Sequence, residues 1–377
     1  MFLARKELWF SKKRFFLIGF IIVLITWLVF VLSGLGNGLS DLGTAVIRYS
    51  DLDVAVFEKD SELTLGKSTL PESVVAEALE VDGVEEVASI ATAAGAIYHG
   101  HGVNVDEETG KKTAVLFVGI EPGSFMEPKT ISGENLDEAE PNRVLVDESL
   151  MRDGFKLNDK ITLNGVGTEY TIGGFVSNKT LNHMPAIFVT MDTLRDFKYM
   201  VPGSDMGIEK PISAVFLKGN NIDTKELTAA IDGIETGNIK ETLNGIPGYS
   251  AESGTINLML WLLIFISAFV IAVFFYVLTT QKVNQFGVMK AIGASNGFII
   301  KSVISEVFLL SGISILIGVG LTYLMTLALP EDMPFTLLPD MVVLYGVILL
   351  ATSLIGSLFS IRSIIKIDPI TALGRVE

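Results

Sequence analysis

INLMLWLLIFISAFVIAVFFYVLTTQKVNQFGVMKAIG, residues 256–293, is the stretch that decides the fold. It belongs to a run between Glu252 and Lys282 in which 29 consecutive residues carry no formal charge. A helix crosses the hydrocarbon of a bilayer with about 20 apolar residues, so a membrane span is expected over 256–281. Directly after it, Phe286, Met289 and Ile292 recur every third residue while Lys282, Gln285 and Lys290 keep the other faces polar. That spacing predicts a short amphipathic helix in a cytoplasmic coupling loop, 282–298. Two readings of the helix stay open: it lies in the lipid headgroups, or it is a knob offered to a cytoplasmic partner.

Working outward, the chain of 377 residues is 49% hydrophobic yet carries 43 Asp and Glu against 28 Lys and Arg. The two properties separate along the sequence. Residues 34–255 hold 36 acids against 17 bases, and the flanks hold 7 against 11. The middle is therefore read as an acidic domain large enough for its own core, and the flanks as membrane.

The amino-terminal flank places Arg5, Lys6, Lys12, Lys13 and Arg14 before an uncharged run that starts at Phe15. The apolar region of a signal peptide is only about 7 to 15 residues long, and no small-residue cleavage site follows Ser33. An uncleaved first span over 15–33 is expected after a cytoplasmic amphipathic stretch, 1–14. Further uncharged runs predict spans over 299–329 and 341–361, joined by an outer loop, 330–340, and followed by a tail, 362–377. Lys and Arg gather at the N-terminus, in the 282–298 loop and in the tail, so both termini are placed in the cytoplasm and residues 34–255 outside. The expected fold is a membrane α-helical bundle of four transmembrane helices, with a mixed α/β extracytoplasmic domain inserted between the first and second. The absence of cysteine excludes disulfides, thiolate metal sites and palmitoylation, and fits a bacterial cell membrane.

In the middle region, Leu35, Leu39, Leu42, Val46 and Ile47 suggest a helical stalk continuing the first span, although each of Gly34, Gly36, Gly38 and Gly43 costs a helix about 1 kcal/mol. Strands are predicted at 53–57, 84–98, 114–120, 142–147, 160–163, 169–175, 185–190 and 213–218, and helices at 71–80, 191–197 and 224–231. Asn164-Gly165 reads as a hairpin turn.

Few motifs here carry chemistry. Gly66-Lys67-Ser68 looks like the end of a phosphate-cradling loop, but the first glycine of that pattern falls on Ser61. No nucleotide site and no catalytic residue are expected in this chain. Tyr98, His99 and His101 form a YHGH cluster whose imidazoles suit a metal or haem iron, while the neighbouring glycines favour a plain polar loop. No resident metal is expected. His183 reads as a surface histidine. Glu306, at the opening of the third span, is an intramembrane polar residue whose reading is structural, facing neighbouring helices or snorkelling. In the tail, Asp368 can cap a one-turn helix with Pro369 at its first position, and this helix would present Ile370 and Leu373 beside the 282–298 loop as a second docking element.

The topology, the loop QKVNQFGVMKAIGAS and the ending KIDPITALG resemble the permease subunits of MacB/FtsX-type ABC transporters. Within that family, AVFFYVLTTQKVNQFGVMKAIG, the MPF at Met333–Phe335 and DPITALG are most similar to the haem-efflux, HrtB-type permeases of Gram-positive bacteria. The resemblance implies a second copy of the chain and two copies of a separate ABC ATPase that binds ATP and Mg. It implies coupling through Phe286, Gly287, Met289, Lys290, Ile292, Gly293, Asp368, Pro369 and Leu373. It also implies that haem, or another membrane-partitioning amphiphile, is the cargo, with no cofactor held by this chain and no nucleic-acid partner. Permeases for antimicrobial peptides, macrolides or lipoproteins share these motifs, and a relay controlling a cell-wall hydrolase or sensor kinase is the rival. The first span offers no iron ligand, leaving Tyr49, Tyr98, His99, His101, Tyr170, His183 and Met259 as substrate-contact candidates.

Overall fold

The computed structural model describes residues 12–99, 112–164, 167–330 and 333–365. Leu39–Ser253 form one compact unit; the described residues of Met1–Gly38 and Gly254–Glu377 form another. Helix α1 (Lys12–Arg48) is 37 residues long. At 1.5 Å per residue it runs roughly 55 Å, well past the ~30 Å of bilayer hydrocarbon. The helical continuation expected beyond residue 33 is thus present.

The outer unit contains β1 (Val54–Glu58), β2 (Leu70–Pro71), α2 (Ser73–Leu79), β3 (Val84–His99), β4 (Lys112–Ile120), β5 (Thr130–Gly133), β6 (Arg143–Asp147) and α3 (Ser149–Arg152). There follow β7 (Lys160–Leu163), β8 (Glu169–Val176), β9 (Thr180–Leu181), β10 (Met184–Thr190), α4 (Met191–Lys198), β11 (Pro211–Ile212), β12 (Ala214–Gly219), α5 (Thr224–Ala230), β13 (Ile234–Asn238) and α6 (Ile239–Asn244). The main sheet runs β13-β1-β12-β3-β4-β10-β6-β8-β5, and β7 pairs with both β3 and β8. That double pairing closes a ring, β3-β4-β10-β6-β8-β7.

Strand β3 serves two neighbourhoods. Its first half pairs antiparallel with β12, Ala88 opposite Phe216, and its second half with β4, Ala93 opposite Phe117. Alternate residues feed two cores: Val54, Val56, Val115 and Phe117 enter one, and Ala55, Phe57, Leu116 and Val118 the other. Both faces are covered, so these strands read as near-continuous apolar runs. Strands β5 and β13 escaped the sequence reading because TISG and IETGN carry glycine and one large apolar residue each.

The second unit adds α7 (Tyr249–Gln281), α8 (Val283–Ala291), α9 (Asn296–Thr326) and α10 (Pro339–Ile365). With α1, four helices among the described residues are long and apolar enough to cross a membrane, and the α/β unit is inserted between the first and second. Phe15, Ile18 and Ile22 of α1 pack with Ile271 and Phe275 of α7 and with Ile299, Val303 and Val307 of α9. Trp261, Phe265 and Phe269 of α7 point outward, as lipid allows. The glycines that weaken α1 are explained by packing. A Cβ on Gly34 would fall 2.3 Å from the Phe335 ring, and one on Gly38 would fall 2.3 Å from the Pro334 carbonyl carbon. The backbone N–H of Thr336 donates to the Gly34 carbonyl at 2.9 Å, so the loop at Pro334–Phe335 sits in a groove that side chains would fill.

Candidate functional site

The elbow between α7 and α8 is a single residue, Lys282. Polar residues Thr279, Thr280 and Gln281 end the apolar run, and at the other end of α8 Gly293 adopts φ +97°, the left-handed conformation that closes a helix most cheaply with glycine. Ser295 then caps α9, its hydroxyl accepting from the Phe298 N–H at 3.2 Å.

The Lys282 side chain turns inward. Its Nζ donates to Glu306 Oε1 of α9 at 2.6 Å, with both side chains 8% exposed. The same ammonium lies 4.9 Å from the centre of the Phe15 ring of α1, a cation–π distance. One cation thereby joins the elbow, α9 and α1. Phe286 closes the site from α8 and is buried. Glu306 is buried and faces a neighbouring element rather than snorkelling. Lys282 was misread as a residue of a solvated face.

The apolar stripe of α8 also needs correction. An α-helix turns about 100° per residue, so each step of three falls some 60° short of a full turn, and Phe286 and Ile292 end about 120° apart. Phe286 and Gly287 accordingly face the bundle, Met289 is half-buried against it, and Ile292 is 80% exposed. Val288 is exposed beside Ile292, as their four-residue spacing dictates. Lys290 is half-buried and Gly293 exposed. A partner approaching α8 meets Val288 and Ile292 rather than Phe286. Asp368, Pro369 and Leu373 lie outside the described residues.

The substrate-contact candidates of the Leu39–Ser253 unit occupy different elements. Tyr170 is 2% exposed, and its ring lies 6.1 Å from that of Phe117. Burial, and secondly the charge of Asp196, push its phenol up to about 12. Tyr98 is buried as well, on the strand predicted for it; β3 continues through His99, and the rest of the cluster lies outside the described residues. Neither tyrosine is open to a ligand. Tyr49 is half-exposed and donates to Asp41 Oδ1 at 2.9 Å. Burial first, then the charge of Asp41 and this hydrogen bond, raise its phenol to about 12. His183 occupies a turn with φ +60°, its Nε2 3.4 Å from Glu252 Oε2. Met259 is exposed on α7, and His101 lies outside the described residues. Among the described residues no group of three or more His, Asp or Glu is placed to hold a metal ion. Gly66–Ser68 forms a turn that leads into β2 rather than a helix, with the Ser68 hydroxyl accepting from the Glu58 N–H at 2.9 Å.

Residues 257–369, which include the elbow, match the FtsX-like permease C-terminal family. This segment is an FtsX-like permease domain. Over the whole chain, two candidate hemin transport system permease proteins HrtB are each 27% identical: one from Staphylococcus haemolyticus, with 100% of both chains covered, and one from Staphylococcus epidermidis, with 99% of both covered. Among solved structures, the periplasmic region of MacB from Actinobacillus actinomycetemcomitans matches with a TM-score of 0.38 at 16% identity, covering 54% of this chain and 99% of that one. The extracellular domain of YknZ, from Gram-positive bacteria, matches with a TM-score of 0.35 at 13% identity, covering 49% and 99%. The resemblance of the loop QKVNQFGVMKAIGAS to FtsX-type permeases is upheld by the family match, since the loop lies wholly within it.

Proposed function

We propose that the chain is the permease subunit of an ATP-driven ABC efflux system in a bacterial plasma membrane, exporting haem or a closely similar amphiphile. Two copies work with two ATPase subunits, which bind and hydrolyse Mg-ATP. Both termini are cytoplasmic and the α/β unit is outside, in keeping with the basic flanks and acidic middle of the sequence. The observation that carries the reading is the elbow: α8 offers Val288 and Ile292 outward, while Lys282 at its root is tied to α9 and α1. A push on α8 therefore has a rigid path to the first long helix, and coupling is mechanical. Haem as cargo is supported by the names of the staphylococcal relatives.

The test is growth of a deletion strain on graded haemin, bacitracin and a macrolide, with the wild-type gene restored on a plasmid. Haemin sensitivity rescued by the plasmid is expected. Sensitivity to bacitracin or the macrolide alone would reassign the cargo, and unchanged growth on all three would overturn efflux.

A further inference from the structure

The outer unit contains an open cavity of about 400 Å³ lined by apolar Phe125 and Ile131, by two cations, Lys129 and Lys179, and by two carboxylates, Asp51 and Glu127. The Lys179 side chain is half-buried, and among the described residues its ammonium makes no hydrogen bond or ion pair. Burial pushes it below the usual lysine range, with the charges of Asp147 and Asp51 opposing. Asp147 is engaged elsewhere: its two carboxylate oxygens accept from the backbone N–H groups of Ser149 and Lys179. Glu127, also on the cavity wall, accepts from the N–H groups of Gly123 and Leu136 at 2.7 and 2.9 Å. Asp147 and Glu127 are thus spent on backbone, whereas Asp51, also on the wall, remains as a competing anion; a half-buried cation without a hydrogen-bonded partner is still stabilised by an incoming anion.

We propose that this cavity binds an amphiphile bearing a carboxylate, its apolar body against Phe125 and Ile131 and its head group on Lys179 and Lys129. Mostly apolar walls with a few convergent polar groups are what such a ligand needs. Val46 and the last turn of α1 form part of the wall, so an occupant touches the end of that helix directly. The proposal is independent of ATP-driven efflux, because it requires neither an ATPase nor transport.

The test uses the full-length chain in neutral-lipid nanodiscs. Lysines are acetylated briefly and read residue by residue by mass spectrometry, with and without decanoate, protoporphyrin IX or decanol. Acetylation of Lys179 is expected to fall about tenfold at a probe concentration about ten times its Kd, while exposed Lys67 and Lys160 are unaffected. Protection by decanoate points to an acyl-chain ligand, protection by protoporphyrin to a tetrapyrrole, and either supports the site. Equal protection by decanol, or none by either acid, overturns it.

Discussion

Removing one partner of the Lys282–Glu306 pair tests the elbow most severely. Both side chains are 8% exposed and 2.6 Å apart, so Lys282→Met withdraws one cation from the buried Glu306 carboxylate. Breaking a buried pair in this way costs about 3–5 kcal/mol, whereas replacing both members by apolar residues of similar volume is neutral or even stabilising by about 1–4 kcal/mol. Glu306→Leu alone should therefore destabilise about as much as Lys282→Met, and the double variant Lys282→Met/Glu306→Leu should regain most of the loss. The cation–π contact with Phe15, about 0.5–2 kcal/mol, sets how far the double variant falls short of wild type. The measurement is a double-mutant cycle on reversible unfolding in mixed micelles, read alongside ATP-dependent export. We expect a coupling of several kcal/mol in the cycle, with the double variant folded but poorly coupled to ATP hydrolysis. Additive single effects under about 0.5 kcal/mol would show that the two groups do not meet, and full export by the double variant would remove the elbow from the mechanism.

Three further outcomes follow from the geometry. At the end of α8, Ile292→Asp should release the ATPase during co-purification, since burying such a side chain is worth about 1.5–3 kcal/mol, or roughly 10- to 150-fold in affinity; Ile292→Leu, which keeps the apolar surface, serves as the control, and retention of the ATPase by Ile292→Asp would leave α8 as a lipid-surface helix. A cysteine at Glu138 should react with a membrane-impermeant thiol reagent in intact cells and one at Asn284 should not, both positions being exposed; the reverse pattern would invert the topology. The Tyr170 phenol stands at about 12 when folded against an unfolded value of 10.0. Its contribution is thus fully present below pH 10 and lost as the pH rises through 12. At 1.36 kcal/mol per unit, wild type should lose about 2–3 kcal/mol more than Tyr170→Phe across that window, and parallel pH–stability curves would contradict the burial.

The sequence carried the membrane architecture because charge-free runs such as 253–281 are a property of consecutive residues. It carried the central strands for a related reason: Val115–Val118 are buried on both faces and stand out as an apolar block. The elbow was only half legible. Lys282 and Glu306 are 24 residues apart, and nothing local in either segment says that a lysine after a span will fold back against the next helix. The α8 stripe was misread because a period of three was taken as a fixed face, whereas the helix rotates Ile292 out of the site that buries Phe286. The strand predicted at 84–98 ends one residue later, at His99.

The closed ring of the outer unit limits what this domain can recognise. Every strand in β3-β4-β10-β6-β8-β7 has both neighbours in place, so no peptide can join the ring as an added strand, a mode that requires unpaired N–H and C=O groups. The ends of the main sheet are β13 and β5, five and four residues long and each carrying a glycine, poor templates for augmentation. Any ligand of this domain is then met by side chains in the loops and cavities around the ring rather than by a strand edge. A change of cargo between related permeases should appear as substitutions there, with the ladder itself left intact.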